Sequence, residues 1–164
     1  MRKNARKNRS GFTLLEVLIA TFLVGIAVAA LLVTNGALTR VNAAGIELST
    51  AEFLLEEIRE LTASLAVVDP ETGTDIFGAE SGETLGSYDD LDDLDGITFS
   101  PPIDINRSQL SDFSVFSQVI TVENVSTSDL TVTVGDHLSP FVKVTVGIVM
   151  NGREISSSSW IRTR

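Results

Sequence analysis

Few residues in this 164-residue chain have the chemistry of a reaction centre. Cysteine is absent, which excludes thiolate nucleophiles, disulfides and cysteine-held metals. The single histidine, His137, lies in the segment GDHLSP and reads as a surface loop residue. Ser156 to Ser159 form a hydroxyl run in an expected strand, with no histidine–carboxylate pair placed to activate it. No glycine-rich phosphate loop is present, and no cofactor is implied. Two placements of carboxylates stand out instead: Glu16, inside an apolar run, and the aspartates of SYDDLDDLDG, Ser87 to Gly96.

The aspartate run offers hard oxygen ligands of the kind calcium takes, with Asp90, Asp92, Asp93 and Asp95 as the candidate set. The EF-hand pattern fails, because Leu94 fills a ligand place and no glutamate closes a twelve-residue loop. A solvated acidic turn is therefore the first expectation, and calcium the alternative.

Glu16 is the more demanding case. It sits in FTLLEVLIATFLVGIAVAALLV, Phe12 to Val33, where it is the sole charge. As a helix these 22 residues span about 33 Å, enough to cross the hydrocarbon core of a bilayer. A charged side chain at the centre of such a helix costs about 2.5–3.5 kcal/mol, less near its end, and calls for a partner. Ahead of the run stand Arg2, Lys3, Arg6, Lys7 and Arg9. This basic leader predicts a cytoplasmic N-terminus and an outward-facing remainder. The formal net charge is −10; without residues 1–11, seven basic groups face 22 acidic ones, a net −15. So acidic a surface repels phosphate, and no nucleic-acid partner is expected.

Gly11-Phe12-Thr13-Leu14-Leu15-Glu16, behind that leader and ahead of that helix, resembles the class III signal of type IV pilins and type II secretion pseudopilins. The resemblance implies that a membrane-embedded prepilin peptidase cuts between Gly11 and Phe12 and methylates the new Phe12 amine. It also implies assembly with other pilin or pseudopilin subunits through an inner-membrane platform, Glu16 and Thr13 being the assembly residues. Val33 stands where many major pilins carry a helix-kinking proline, which suits a minor pilin or pseudopilin. The aspartate run followed by Ser100-Pro101-Pro102 is similar to the middle region of V-type minor pilins and of those in mannose-sensitive haemagglutinin pili. Against the new ammonium, in low dielectric, Glu16 acquires a purpose, with the amine supplied by its own chain or a neighbour.

The expected fold is α+β and pilin-like: a long N-terminal helix, transmembrane in its lower half, packed on a C-terminal antiparallel sheet. Its parts are a leader over 1–11, a membrane helix over 12–33, and an amphipathic continuation over 34–66. An acidic loop over 67–112 and a sheet region over 113–164 complete it. In IELSTAEFLLEEIRELTASLA, the positions Ala51, Leu54, Leu55, Ile58, Leu61 and Leu65 keep three-four spacing and predict the packed face. Glu47, Glu52, Glu56, Glu57 and Glu60 read as a solvated face. SVFSQVITVENV and DLTVTV predict strands. PFVKVTVGIVM-NG-REISSSSWIR predicts a hairpin on an Asn151-Gly152 type I′ turn. An unbroken register pairs Met150 with Arg153, Ile148 with Ile155 and Val142 with Ile161. It sends Trp160 to the face away from the helix, beside Lys143 and under the acidic loop.

The function expected is that of a minor type IV pilin, a structural subunit and not an enzyme. It would be held in the bacterial inner membrane and then drawn into a pilus. The alternatives are a type II secretion pseudopilin, a DNA-uptake pilin, and a single-pass anchored binding module for calcium or carbohydrate.

Overall fold

The computed structural model describes residues 11–69 and 77–163; the basic leader up to Ser10, and Pro70 and Gly73 of the acidic segment, lie outside the described residues. The chain divides into two units, Met1–Ala44 and Gly45–Arg164. One helix, α1 (Leu14–Ser64), belongs to both.

In the first unit every described residue, from Gly11 to Ala44, is exposed. Up to Val33, leucine, valine and isoleucine cover α1 all round, so this stretch has no polar face to turn to water. Among the described residues it is the one helix long and apolar enough to cross a membrane. Gly36 does not interrupt it, and the hydroxyls of Thr34 and Thr39 fold back onto the carbonyls of Ala30 and Asn35.

In the second unit the helix becomes one-sided. Ala51, Leu54, Leu55, Ile58, Leu61 and Leu65 are all buried, the face that the three-four spacing predicts. Thr62 joins them at 0 % exposure because its hydroxyl donates to the carbonyls of Ile58 and Arg59, leaving no bond unmade. Each fully buried leucine or isoleucine here contributes about 1.5–3 kcal/mol.

This face packs against a four-stranded antiparallel sheet: β1 (Thr98–Phe99), β2 (Phe116–Val125), β3 (Phe141–Met150) and β4 (Arg153–Thr163), in that spatial order. Ile120 and Val122 on β2 lie opposite Val146 and Val144 on β3, all buried. The sheet is thus apolar toward the helix, and its other face carries Thr121, Thr145 and Ser159 in a row. Asn151 and Gly152 both have positive φ, 52° and 77°, as the expected two-residue turn requires.

The hairpin register departs from expectation four residues beyond the turn. Met150 pairs with Arg153 and Val149 with Glu154, but Ile148 then pairs with Ser156, so Ile155 is surplus. This β-bulge moves Trp160 opposite Val144, on the helix side, not beside Lys143. There Trp160 packs at the edge of the core, with the Arg59 guanidinium 5.8 Å from its ring centroid. Lys143 meets Glu123 across the strands at 2.8 Å. The same shift brings Arg162 onto the carbonyls of Thr62 and Leu65, where it covers the C-terminal end of α1.

DLTVTV is a loop, not a strand. The Asp129 carboxylate accepts both the N–H and the hydroxyl of Thr131 and turns the chain; pairing is limited to a bridge between Val125 and Thr133. The glutamate face of α1 is exposed or half-exposed, as expected, and three of its carboxylates also reach partners on the rest of the unit. Glu47 pairs with Arg153, Glu52 accepts from the Ser156 hydroxyl, and Glu57 accepts the N–H of Ile105.

Candidate functional site

The chemistry at the N-terminal end of the described chain is local. Phe12 stands outside the helix and is 88 % exposed, and α1 starts two residues later. Thr13 and Glu16 close that start reciprocally. The carboxylate Oε2 of Glu16 accepts the N–H of Thr13 at 2.8 Å and its hydroxyl at 2.9 Å. The Thr13 hydroxyl oxygen in turn accepts the N–H of Glu16 at 3.2 Å. This is a capping box, the T-x-x-E arrangement in which two side chains satisfy donors that a helix start leaves unpaired. The sequence carries that signature at Thr13–Glu16, where charge alone draws notice to Glu16. Gly11 and Phe12 therefore lie outside regular secondary structure just ahead of a capped first turn, with the Glu16 carboxylate turned back toward them. Gly11, Phe12, Thr13 and Glu16 together line one open hollow.

The aspartate run is not a solvated turn. Asp90, Asp92 and Asp93 are buried, because each carboxylate folds inward onto main-chain donors. Asp90 accepts the N–H groups of Asp92 and Asp93, and Asp93 those of Asp89 and Asp90. Asp92 accepts from Gly78, and Asp95 from Val122 on β2 at 2.7 Å. Burial, with the hydrogen bond and charge of Asp92 beside it, pushes the Asp90 carboxyl up to about 7. Burial also raises Asp93. Asp90, Asp92 and Asp93 thus interlock within the run, while Asp95 ties it to β2. A carboxylate grouping does occur, but its members are Glu80, Glu83 and Asp93, whose oxygens lie within 4.8 Å of one another. Glu80 and Glu83 lie a few residues ahead of the run and carry no ligand spacing that would mark them.

Arg107 holds this segment to the rest of the unit, donating to the carbonyls of Leu85 and Tyr88. His137 is half-buried, its ring edge-on to Phe77 at 5.7 Å. Ser156 and Ser159 spend their hydroxyls on Glu52 and Thr145, and Ser157 on Glu154. None of these groups converges on a common point with a nucleophile and a base.

Residues 6–32 match the family model for the prokaryotic N-terminal methylation motif, which covers Gly11, Phe12, Thr13, Glu16 and most of the apolar run. No curated protein and no solved structure matches the chain. The motif is that of structural pilin-type subunits and implies processing by prepilin peptidase and assembly with other such subunits. Ahead of a long apolar helix, residues 6–32 thus carry the class III prepilin signal of type IV pilins and pseudopilins, which supports a pilin-like or pseudopilin precursor.

Proposed function

We propose that the protein is a minor type IV pilin. Prepilin peptidase cuts it between Gly11 and Phe12 and methylates the Phe12 amine, and its N-terminal helix carries it into a pilus or a pilus-initiating complex. The observation that supports this most is the junction itself: an exposed Gly11–Phe12 outside the helix, a capped helix start at Thr13–Glu16, and an apolar helix exposed on every side. So much apolar surface is stable only against lipid or against like helices, the two surroundings a pilin passes between. Before assembly the leader lies in the cytoplasm and the sheet unit outside the inner membrane, held by lipid and handed to the assembly platform. The −15 charge left after the cut disfavours direct nucleic-acid binding.

Intact-mass measurement of membrane-extracted protein tests this reading. The expected species begins at methylated Phe12, and retention of Met1 in cells that contain the peptidase would sink it, favouring a single-pass anchored binding module. Glu16→Val should still be cut but enter filaments poorly. The type II secretion pseudopilin remains the second reading, because every N-terminal feature is common to both. Loss of surface pili on deletion supports the pilin, and loss of protein secretion supports the pseudopilin.

A further inference from the structure

A carboxylate one turn inside an apolar helix has to find donors before any new amine exists to meet it. The side chains one turn away from Glu16 on the helix surface are Phe12, Thr13, Ile19 and Ala20, and Thr13 alone among them carries a hydrogen-bond donor. Thr13 gives the same carboxylate oxygen both of its donors and takes the Glu16 N–H in return. The other hydroxyl of the span that lies near, that of Thr21, is spent on the carbonyl of Leu18.

We propose that Thr13 is the positioning residue of Glu16 in the uncut chain. Its N–H and hydroxyl take the place of water at the carboxylate, which lets Glu16 sit below the headgroups and keeps it folded toward the N-terminus of its own helix. Without Thr13 the carboxylate keeps its hydration only by drawing the helix start into the headgroup layer. The inference rests on the reading of residues 12–33 as a membrane span, and makes no use of the peptidase.

The chain contains no cysteine, so a single Asn35→Cys provides a unique marker just beyond the outer end of the span. In cells lacking prepilin peptidase, the full chain with this marker is labelled from outside by a membrane-impermeant maleimide. Thr13→Val should lower the labelling rate by about threefold or more, as the helix is drawn toward the cytoplasm to keep Glu16 hydrated. Thr13→Ser should label like the parent. Hydropathy alone predicts the reverse order, since valine draws the helix start deeper and pushes the marker thiol outward. The drop should vanish when Glu16→Leu is added. Unchanged or faster labelling of Thr13→Val, or a drop that persists with Glu16→Leu, would overturn the role of Thr13. A parent chain that washes free of the membrane would instead overturn the span itself.

Discussion

The side-chain amide of Gln118, near the start of β2, donates to the main-chain carbonyl of Leu54 on α1 at 2.9 Å. The same side chain donates to the Ile103 carbonyl and accepts the Ile103 N–H, so one buried amide ties helix, strand and loop together. Both Gln118 and Leu54 are 0 % exposed. Gln118→Leu should therefore leave the Ile103 main chain unpaired out of reach of water and cost about 3 kcal/mol. Urea denaturation of the detergent-solubilised chain checks this. A loss below about 1 kcal/mol would mean that solvent reaches Ile103.

The raised Asp90 carboxyl gives stability a definite pH slope. The folded state keeps its proton up to about 7, whereas an aspartate in the unfolded chain loses it near 3.8. Across that window the folded chain binds more proton than the unfolded one, so stability falls as pH rises from about 4 to about 7 and levels above. Asp90→Asn keeps an acceptor for the N–H groups of Asp92 and Asp93 and removes the charge. It should melt higher than the parent at pH 8 and alike at pH 4. Equal melting at both values would show that Asp90 ionises without cost.

The bulge at Ile155 makes β4 tolerant of shortening and intolerant of lengthening. Deleting any one residue from Ile155 to Ser159 removes the surplus, and Trp160 still arrives opposite Val144. Inserting one serine there turns Trp160 outward. Tryptophan emission reads the difference directly, because Trp160 is the only tryptophan in the chain. The deletion should keep the parent emission maximum, and the insertion should shift it to the red.

Arg162 donates to two different carbonyls at the helix end, Thr62 at 2.7 Å and Leu65 at 3.2 Å. An ammonium cannot span both with the same fork. Arg162→Lys should thus lose about 1–2 kcal/mol in the same urea titration, nearly as much as Arg162→Met. Full retention by lysine would show that charge at the helix terminus, not the fork, is what matters.

Where the sequence is informative, one physical rule acts alone. The helix face from Ala51 to Leu65 follows from periodicity, and the Asn151-Gly152 turn from the need for positive φ. The bulge is not legible, because it is selected by what lies beyond it. At the native length of β4, Trp160 and Arg162 reach Arg59 and the end of α1 only because one residue is left unpaired. The aspartates mislead for a related reason. Composition reports five aspartates, while the burial of Asp90, Asp92 and Asp93 depends on loop N–H groups whose directions no pattern encodes. At Thr13–Glu16 the signal is present, and its local meaning, a capped helix start, stands behind the more conspicuous charge.

The bonds between α1 and the sheet unit are spaced along the helix. Glu47 meets Arg153, Glu52 meets Ser156, Leu54 meets Gln118, and Thr62 and Leu65 meet Arg162. A pull along the helix axis therefore loads them side by side, in shear, and none can yield until its neighbours do. A pull across the axis at Thr163 would peel them one after another. Within Gly45–Arg164 the joint therefore resists a load along the helix axis better than one across it.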